Sequence, residues 1–158
     1  MVMAMTEVDS NSHKHHILKH VFGFDAFRPG QEAVVDAVLD GENVLAVMPT
    51  GAGKSLCFQV PSLALGGLTI VVSPLVALMQ DQVMALKLAG VAADSINSAA
   101  SRADNVTVWQ RVAAGETRLL YMAPERLMTK RMLDALSRLP VTSANYLPHF
   151  EPTPSKKQ

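Results

Sequence analysis

Cysteine is nearly absent from the sequence, with Cys57 as its single representative. One cysteine excludes a disulfide framework within the chain and is typical of proteins from a reducing compartment. The chain also lacks any apolar run approaching the roughly 20 residues that would span a bilayer. Residues 1–19 lack the cationic start and apolar stretch of a secretory signal. We therefore predict a cytoplasmic protein without a membrane partner.

An excess of basic charge is missing as well, because 14 lysines and arginines balance 14 aspartates and glutamates. A protein that binds nucleic acid on its own usually carries a basic excess, since much of its affinity comes from neutralising phosphates. Any contact with nucleic acid in this chain is therefore expected to be local, or to depend on a basic surface elsewhere.

The apolar fraction, 49% of 158 residues, is sufficient to bury the core of one domain of ordinary size. Strands are predicted at residues 43–48, 68–72, 91–96 and 119–122, and helices at 31–39, 54–65, 75–89, 102–114 and 125–139. Apolar strands separated by helices predict an α/β fold, in which a parallel sheet has helices on both faces. We expect an ordered domain over residues 17–139, a flexible N-terminus over 1–16, and an irregular or disordered tail over 140–158.

Four of the five histidines lie close together near the N-terminus, namely His13, His15, His16 and His20. A metal site is one interpretation, but no cysteine or carboxylate stands at ligand spacing around them. The favoured interpretation is a solvated helix start that turns Ile17, Leu18 and Val21 inward. We accordingly expect no zinc in this segment.

A glycine-rich turn follows the strand predicted at residues 43–48 and leads into a helix. Strand, glycine-rich loop and helix N-terminus form the order that a phosphate-binding loop requires. Gly51 and Gly53 allow backbone N–H groups to curl around an anion, Lys54 would reach the β- and γ-phosphates, and Ser55 would offer its hydroxyl to Mg²⁺. Met48 stands where the usual pattern has its first glycine. The alternative is a glycine-rich turn that binds nothing.

Upstream residues extend this pattern, and they are Leu18, Phe22, Gly23, Phe27, Arg28 and Gln31. With the Pro-Thr-Gly-x-Gly-Lys-Ser loop, this spacing resembles the ATP-binding motifs of RecQ family DNA helicases. The resemblance implies that Gln31 contacts adenine, with Phe22 packed near the base and Arg28 supporting the pocket, while Thr50 to Ser55 bind the phosphates of ATP. A carboxamide suits this role because it donates and accepts hydrogen bonds at once. The alternative is that Gln31 merely opens a surface helix.

Two downstream segments, residues 73–82 and 120–127, resemble further motifs of the same family. The resemblance implies that they line the path of single-stranded or partly duplex DNA, through Ser73, Pro74, Asp81, Gln82, Pro124 and Glu125. Ser73 and the N–H groups of the first helical turn suit a DNA phosphate. Asp81 and Gln82 could instead be simple surface residues, and Glu125 an acid that complements the dipole of a helix start.

The resemblance covers residues 18–139 and implies a partial RecA-like, ATP-binding helicase lobe. It further implies a monomeric, nucleoid-associated 3′-to-5′ motor of DNA recombination and repair, with Lys54 as its catalytic residue here. In the family the next strand ends in Asp-Glu-x-His, yet residues 140–158 contain no aspartate. We therefore expect no useful ATP turnover by this chain, and interpret the loss of pattern after Leu139 as truncation or a shifted reading frame. The remaining hypotheses are a different P-loop enzyme, such as a small kinase, and a non-catalytic fragment that acts as an interaction partner.

Overall fold

The computed structural model describes residues 7–48 and 53–147, with side chains from residue 11 onward. Its helices are α1 (Glu7–His20), α2 (Gln31–Leu39), α3 (Leu56–Leu65), α4 (Val76–Leu88), α5 (Arg102–Ala113), α6 (Pro124–Leu127) and α7 (Lys130–Leu136). Its strands are β1 (Leu68–Val72), β2 (Ala93–Ile96), β3 (Leu119–Met122) and β4 (Val141–Tyr146). In the described part of the chain, no helix is both long and apolar enough to cross a membrane.

The four strands form one parallel sheet in the order β2-β3-β1-β4. The two inner strands, β1 and β3, are buried along their whole length. Continuous apolar character is what a parallel strand requires, because helices cover both of its faces. The predicted α/β class and the predicted positions of these two strands are confirmed.

Each face of the sheet carries its own apolar core, because successive strand residues point to opposite sides. On one face, Phe58 of α3 and Met79 of α4 pack with Val71 and Tyr121. On the other face, residues of α5 and α7 pack under the sheet, where the buried set includes Ile70, Met122, Val112 and Leu136. Helices therefore cover both faces, as the sequence predicts.

Helix α1 begins at Glu7, within the segment that the sequence predicts to be flexible, so residues 7–16 form regular structure there. Ile17 and Leu18 are buried against α2 and α3, as the interpretation of an inward-facing helix predicts. Lys14 is buried too, and its ammonium pairs with Asp36 and, at 2.9 Å, with Glu32. These partners lie on α2, far along the chain, and for that reason the local pattern does not reveal that the helix begins as early as Glu7.

The segment after Pro140 is also ordered, contrary to the prediction of an irregular tail. Residues 141–146 form β4, which pairs in parallel with β1 although most of its side chains are exposed. Backbone bonds fix the strand at both ends, since Leu68 N donates to Pro140 O at 3.0 Å and Leu147 N to Val72 O at 2.8 Å. An edge strand needs pairing more than burial, and the apolar pattern cannot reveal it. Residues 148–158 lie outside the described part of the chain.

Two other predicted elements differ from the structure. Residues 43–48 are not a strand, and Leu45 and Val47 are 90% and 88% exposed. A strand needs a partner for its backbone groups, and within the described residues none of the four strands of the sheet pairs with this segment. The helix predicted at 125–139 is divided into α6 and α7, because Thr129 caps α7 by accepting from Met132 N at 3.2 Å.

A buried carboxylate joins the elements around β2. Asp94 accepts from Arg111 Nε at 3.2 Å and from Thr117 Oγ1 at 2.8 Å, and Lys87 lies 3.8 Å away. Burial alone would raise the pKa of Asp94, but the hydrogen bonds from Arg111 and Thr117 and the nearby positive charges outweigh burial and lower this pKa. The charged form of Asp94 therefore stabilises the contacts of β2 with α4 and α5.

We expect Asp94→Asn to lower the free energy of unfolding at pH 7 by about 1–3 kcal/mol, because it removes a charged acceptor from a buried network. Since folding lowers the pKa of Asp94, its contribution is present above the unfolded value, near pH 4, and is lost as the pH falls through the folded value. Urea unfolding at pH 7 and pH 3 measures both effects, with the exposed Asp134→Asn as the control. An Asp94→Asn loss of equal size at the two pH values would contradict this account.

Candidate functional site

The end of the glycine-rich loop lies directly before α3. Gly53 has a φ of +73°, a left-handed conformation that favours glycine. Lys54 is exposed, and the hydroxyl of Ser55 does not cap the helix. A helix N-terminus with an adjacent exposed lysine suits an anion such as phosphate. The predicted site residues Thr50, Gly51 and Ala52 lie outside the described part of the chain.

Gln31 lies at the first position of α2 and is only 1% exposed. Its Oε1 accepts from Arg28 N at 2.7 Å, and its Nε2 donates to Gly53 O at 3.0 Å. The structure therefore brings together the glutamine and the loop that the sequence predicted as parts of one site. The alternative of a glutamine that merely opens a surface helix is wrong.

The contact between Gln31 and Gly53 leaves no room for a side chain on the loop. A Cβ at position 53 would lie 2.4 Å from Gln31 Nε2, well inside contact distance. Glycine is thus required twice here, for its backbone conformation and for the close approach of the carboxamide.

The two other residues predicted around the base occupy different environments. Phe22 is half-buried and packs against the apolar clusters below α1 and α3. The side chain of Arg28 is exposed, whereas its backbone N–H is the one that orients Gln31. A role of either residue next to adenine stays a prediction.

The residues predicted along the DNA path come from neighbouring strand ends. Ser73 follows β1, and Pro124 and Glu125 begin α6 just after β3. Ser73 N donates to Met122 O at 3.1 Å, so the two segments leave the sheet side by side. Ser73 is buried and its Oγ accepts from Leu75 N at 3.3 Å, whereas Pro74 and Glu125 are exposed. The carboxyl ends of parallel strands are where open α/β sheets bind ligands.

Asp81 and Gln82 lie on α4 and differ in their surroundings. Asp81 is exposed, whereas Gln82 is half-buried and its Oε1 accepts from the hydroxyl of Tyr121 at 2.8 Å. Gln82 is therefore hydrogen-bonded to a core residue through its amide oxygen, which the interpretation as a simple surface residue did not predict.

Sequence reasoning missed Tyr121 and its second partner, Gln59. Tyr121 is fully buried, burial raises its pKa to about 12, and its hydroxyl accepts from Gln59 Nε2 at 3.3 Å. The available signal was a polar residue in each of two otherwise apolar segments, Leu56–Val60 and Leu119–Met122. Buried polar groups need partners, so two of them in one core predict a contact.

Metal ligands are sparse around the loop. Ser55 is the residue that could offer a hydroxyl to Mg²⁺, and no cluster of three His, Cys, Asp or Glu residues suited to a metal occurs among the described residues. Mg²⁺ is usually bound through one or two carboxylates in addition to phosphates. The strand that follows β3, β4, ends in Asn145 and Tyr146 rather than in an acid. The described residues thus fit a phosphate chain and offer little to the metal.

Comparisons with known proteins point to one family. The model of the DEAD/DEAH box helicase family matches residues 28–144. The ATP-dependent DNA helicase RecQ of Haemophilus influenzae is 46% identical over 121 residues, which cover 77% of this chain and 20% of that protein. The corresponding RecQ proteins of Pasteurella multocida and Bacillus subtilis are 44% and 40% identical, over 80% and 79% of this chain and 20% and 21% of theirs. The chain therefore spans about a fifth of the length of these curated relatives.

The two requirements for glycine at position 53 can be separated by comparing Gly53→Ala with Gly115→Ala. Both residues have positive φ, but an added Cβ meets nothing within 4 Å at Gly115. Strain at positive φ should cost each variant about 1–2 kcal/mol of unfolding free energy. Gly53→Ala should lose about 1 kcal/mol more, because it also displaces the Gln31 hydrogen bond.

Urea unfolding of both variants, in the parent and in a Gln31→Ala background, measures this excess. The excess should disappear when Gln31 is absent, since the two residues then no longer interact. Equal losses in the parent background would show that Gln31 does not contact Gly53.

Proposed function

The chain belongs to the DEAD/DEAH box helicase family, in its RecQ branch, and from this premise we propose that it forms the ATP-binding part of an ATP-dependent DNA helicase. The observation that carries the proposal is the hydrogen bond from Gln31 Nε2 to Gly53 O, at 3.0 Å. It joins the residue expected to select the base to the loop expected to bind the phosphates. A small kinase would leave the motif at residues 73–82 without an explanation.

Phosphate binding is assigned to the junction between the loop and α3. The N-terminus of α3 contributes its dipole, and exposed Lys54 contributes a positive charge. The hydroxyl of Ser55, which caps no helix, would contact Mg²⁺ that arrives with the nucleotide. When bound, this ion would neutralise charge on the phosphates.

Adenine selection is assigned to Gln31. Its carboxamide already accepts from Arg28 N and donates to Gly53 O. The same group offers the paired donor and acceptor that match the N6/N7 edge of adenine. In this proposal the contact with Gly53 positions the carboxamide in the site before nucleotide arrives, and adenine engages it there.

Single-stranded or partly duplex DNA is the partner proposed for the carboxyl edge of β1 and β3. Ser73 and Pro74 leave β1 next to the point where Pro124 and Glu125 follow β3. Asp81 and Gln82 lie on the helix that begins at this edge. Local contacts of this kind agree with a chain that has no net basic charge.

ATP hydrolysis is a separate step, and we propose that this chain does not perform it on its own. Hydrolysis needs an acid that binds the metal and a group that positions water, and β4 ends without an acid. The proposed activity of the chain is therefore binding of ATP and DNA, by a monomer. Unwinding in the 3′-to-5′ direction, and a role in recombination and repair, are proposed for the longer helicases of which it matches about a fifth.

We expect Lys54→Ala to weaken binding of a fluorescent ATP analogue by about 10- to 100-fold, because it removes a charged hydrogen-bond donor to phosphate. Fluorescence titration in the presence of Mg²⁺ measures the affinity, and Lys130→Ala, an exposed lysine on α7, is the matched control. Binding by Lys54→Ala as tight as by the parent would refute the loop assignment. The parent should release no phosphate from ATP, and measurable release would refute the proposal that it lacks hydrolysis.

We further expect the parent to bind ATP at least about 10-fold more tightly than GTP, since guanine presents no matching edge to the Gln31 carboxamide. Gln31→Ala should bring the ratio of the two affinities close to one. Gln110→Ala, which changes an exposed glutamine on α5, should leave the ratio unchanged. Equal affinity of the parent for ATP and GTP would exclude base selection by Gln31.

A further inference from the structure

The hydroxyl of Tyr121 joins two helices through the apolar core. It lies on β3 between α3 and α4, accepts from Gln59 Nε2 at 3.3 Å and donates to Gln82 Oε1 at 2.8 Å. Tyr121 is fully buried within the cluster that includes Phe58 of α3 and Met79 of α4. A polar link of three residues therefore crosses an otherwise apolar layer.

One end of this link lies close to the proposed nucleotide site. Gln59 is one helical turn after Ser55, and its backbone N–H donates to Ser55 O at 3.0 Å. A displacement of the α3 N-terminus by bound phosphate would therefore move Gln59 with it, because both belong to the same rigid turn.

The other end lies at the proposed DNA surface. Gln82 belongs to α4 beside Asp81, and Tyr121 is followed by Met122, whose carbonyl accepts from Ser73 N at 3.1 Å. Pro124 and Glu125 come next on the chain. Tyr121 is therefore connected to each of the segments assigned to DNA, either by its own hydrogen bond or through the residues that follow it on the chain.

The direction of the hydrogen bonds is fixed by the chemistry of the phenol. Because burial raises the pKa of Tyr121 to about 12, its hydroxyl stays protonated and has one hydrogen to donate. That hydrogen goes to Gln82, and the lone pairs receive the Gln59 amide. Breaking either bond leaves a polar group in an apolar layer, which is costly. A relative movement of α3 and α4 is thus opposed by the link.

We infer that Tyr121 is a positioning residue that couples nucleotide binding at the N-terminus of α3 to DNA binding along α4 and the ends of β1 and β3. The inference rests on the proposed function, since it requires both ligands. It adds a residue that contacts neither of them and acts through Gln59 and Gln82.

The test compares the parent, Tyr121→Phe and the control Tyr146→Phe, which changes an exposed tyrosine on β4. The affinity for a fluorescent ATP analogue with Mg²⁺ is measured without and with saturating oligo(dT). In the parent, DNA should change the nucleotide affinity by roughly 5-fold or more. In Tyr121→Phe this factor should fall by about 3-fold or more, towards one, because one buried hydrogen bond is lost. Tyr146→Phe should keep the parent factor.

A reciprocal measurement separates coupling from general damage. The affinity for oligo(dT), measured without and with nucleotide, must change by the same factor as the nucleotide affinity, in every variant. Nucleotide binding by Tyr121→Phe in the absence of DNA should stay within about 2-fold of the parent, because the hydroxyl contacts no ligand.

Two results would overturn the inference alone: a parent that binds both ligands independently, or Tyr121→Phe with the full parent coupling. A parent that binds neither ligand would overturn the proposed function, and the inference with it. If thermal melting shows that Tyr121→Phe does not fold, Gln59→Met serves instead. It removes the amide donor from the buried link while keeping the length of the side chain, and the same loss of coupling is expected.

Discussion

The hydrogen bond between the Gln31 carboxamide and the Gly53 carbonyl is the contact on which the site depends. It links α2 to Gly53 in the proposed phosphate-binding loop, 22 positions along the chain. A carboxamide that is only 1% exposed must have partners for its oxygen and its nitrogen. Arg28 N and Gly53 O are two such partners. The glutamine therefore constrains the backbone at both places, and glycine is the residue at position 53 that allows its approach.

The position of Gln31 depends in turn on the packing of α1 against α2. Lys14 of α1 is buried and pairs with Glu32 and Asp36, which lie one and five positions after Gln31. Burial lowers the pKa of Lys14, yet its hydrogen bonds to Asp36 and Glu32 outweigh burial and raise it, so the amine stays charged. A buried charge that lost its partners would be strongly destabilising. These ion pairs therefore fix how α1 packs against α2, and α2 in turn places Gln31 against the loop.

The sequence predicted those parts of the fold whose signal is local. The fully buried strands β1 and β3 and the helix α2 were found at their residues, because burial on both faces or on one stripe leaves a clear pattern. The early start of α1 at Glu7 and the whole of strand β4 were missed, since ion pairs to α2 and backbone pairing to β1 stabilise them, and neither contact has a local signature. At residues 43–48 the sequence predicted a strand that the structure does not have. An apolar pattern indicates a strand only where a partner strand exists.

The same distinction explains what could be predicted of the site. The spacing of Lys54, Ser55 and Gln31 predicts them as site residues without a structure, because phosphate and base recognition require fixed residue types. The hydrogen bonds of Tyr121 with Gln59 and Gln82 join three elements across the core, and no spacing of residues in the sequence predicts them. The groups assigned to nucleotide binding come from α2 and the junction before α3, whereas the family resemblance implies an acid at the end of the strand that follows β3, which is β4 here. Since the two sets lie on different elements, the architecture of the binding site does not require the chemistry of hydrolysis to be present. Binding and turnover are therefore separable properties of this fold, and the lack of an acid at the end of β4 leads us to propose binding without hydrolysis.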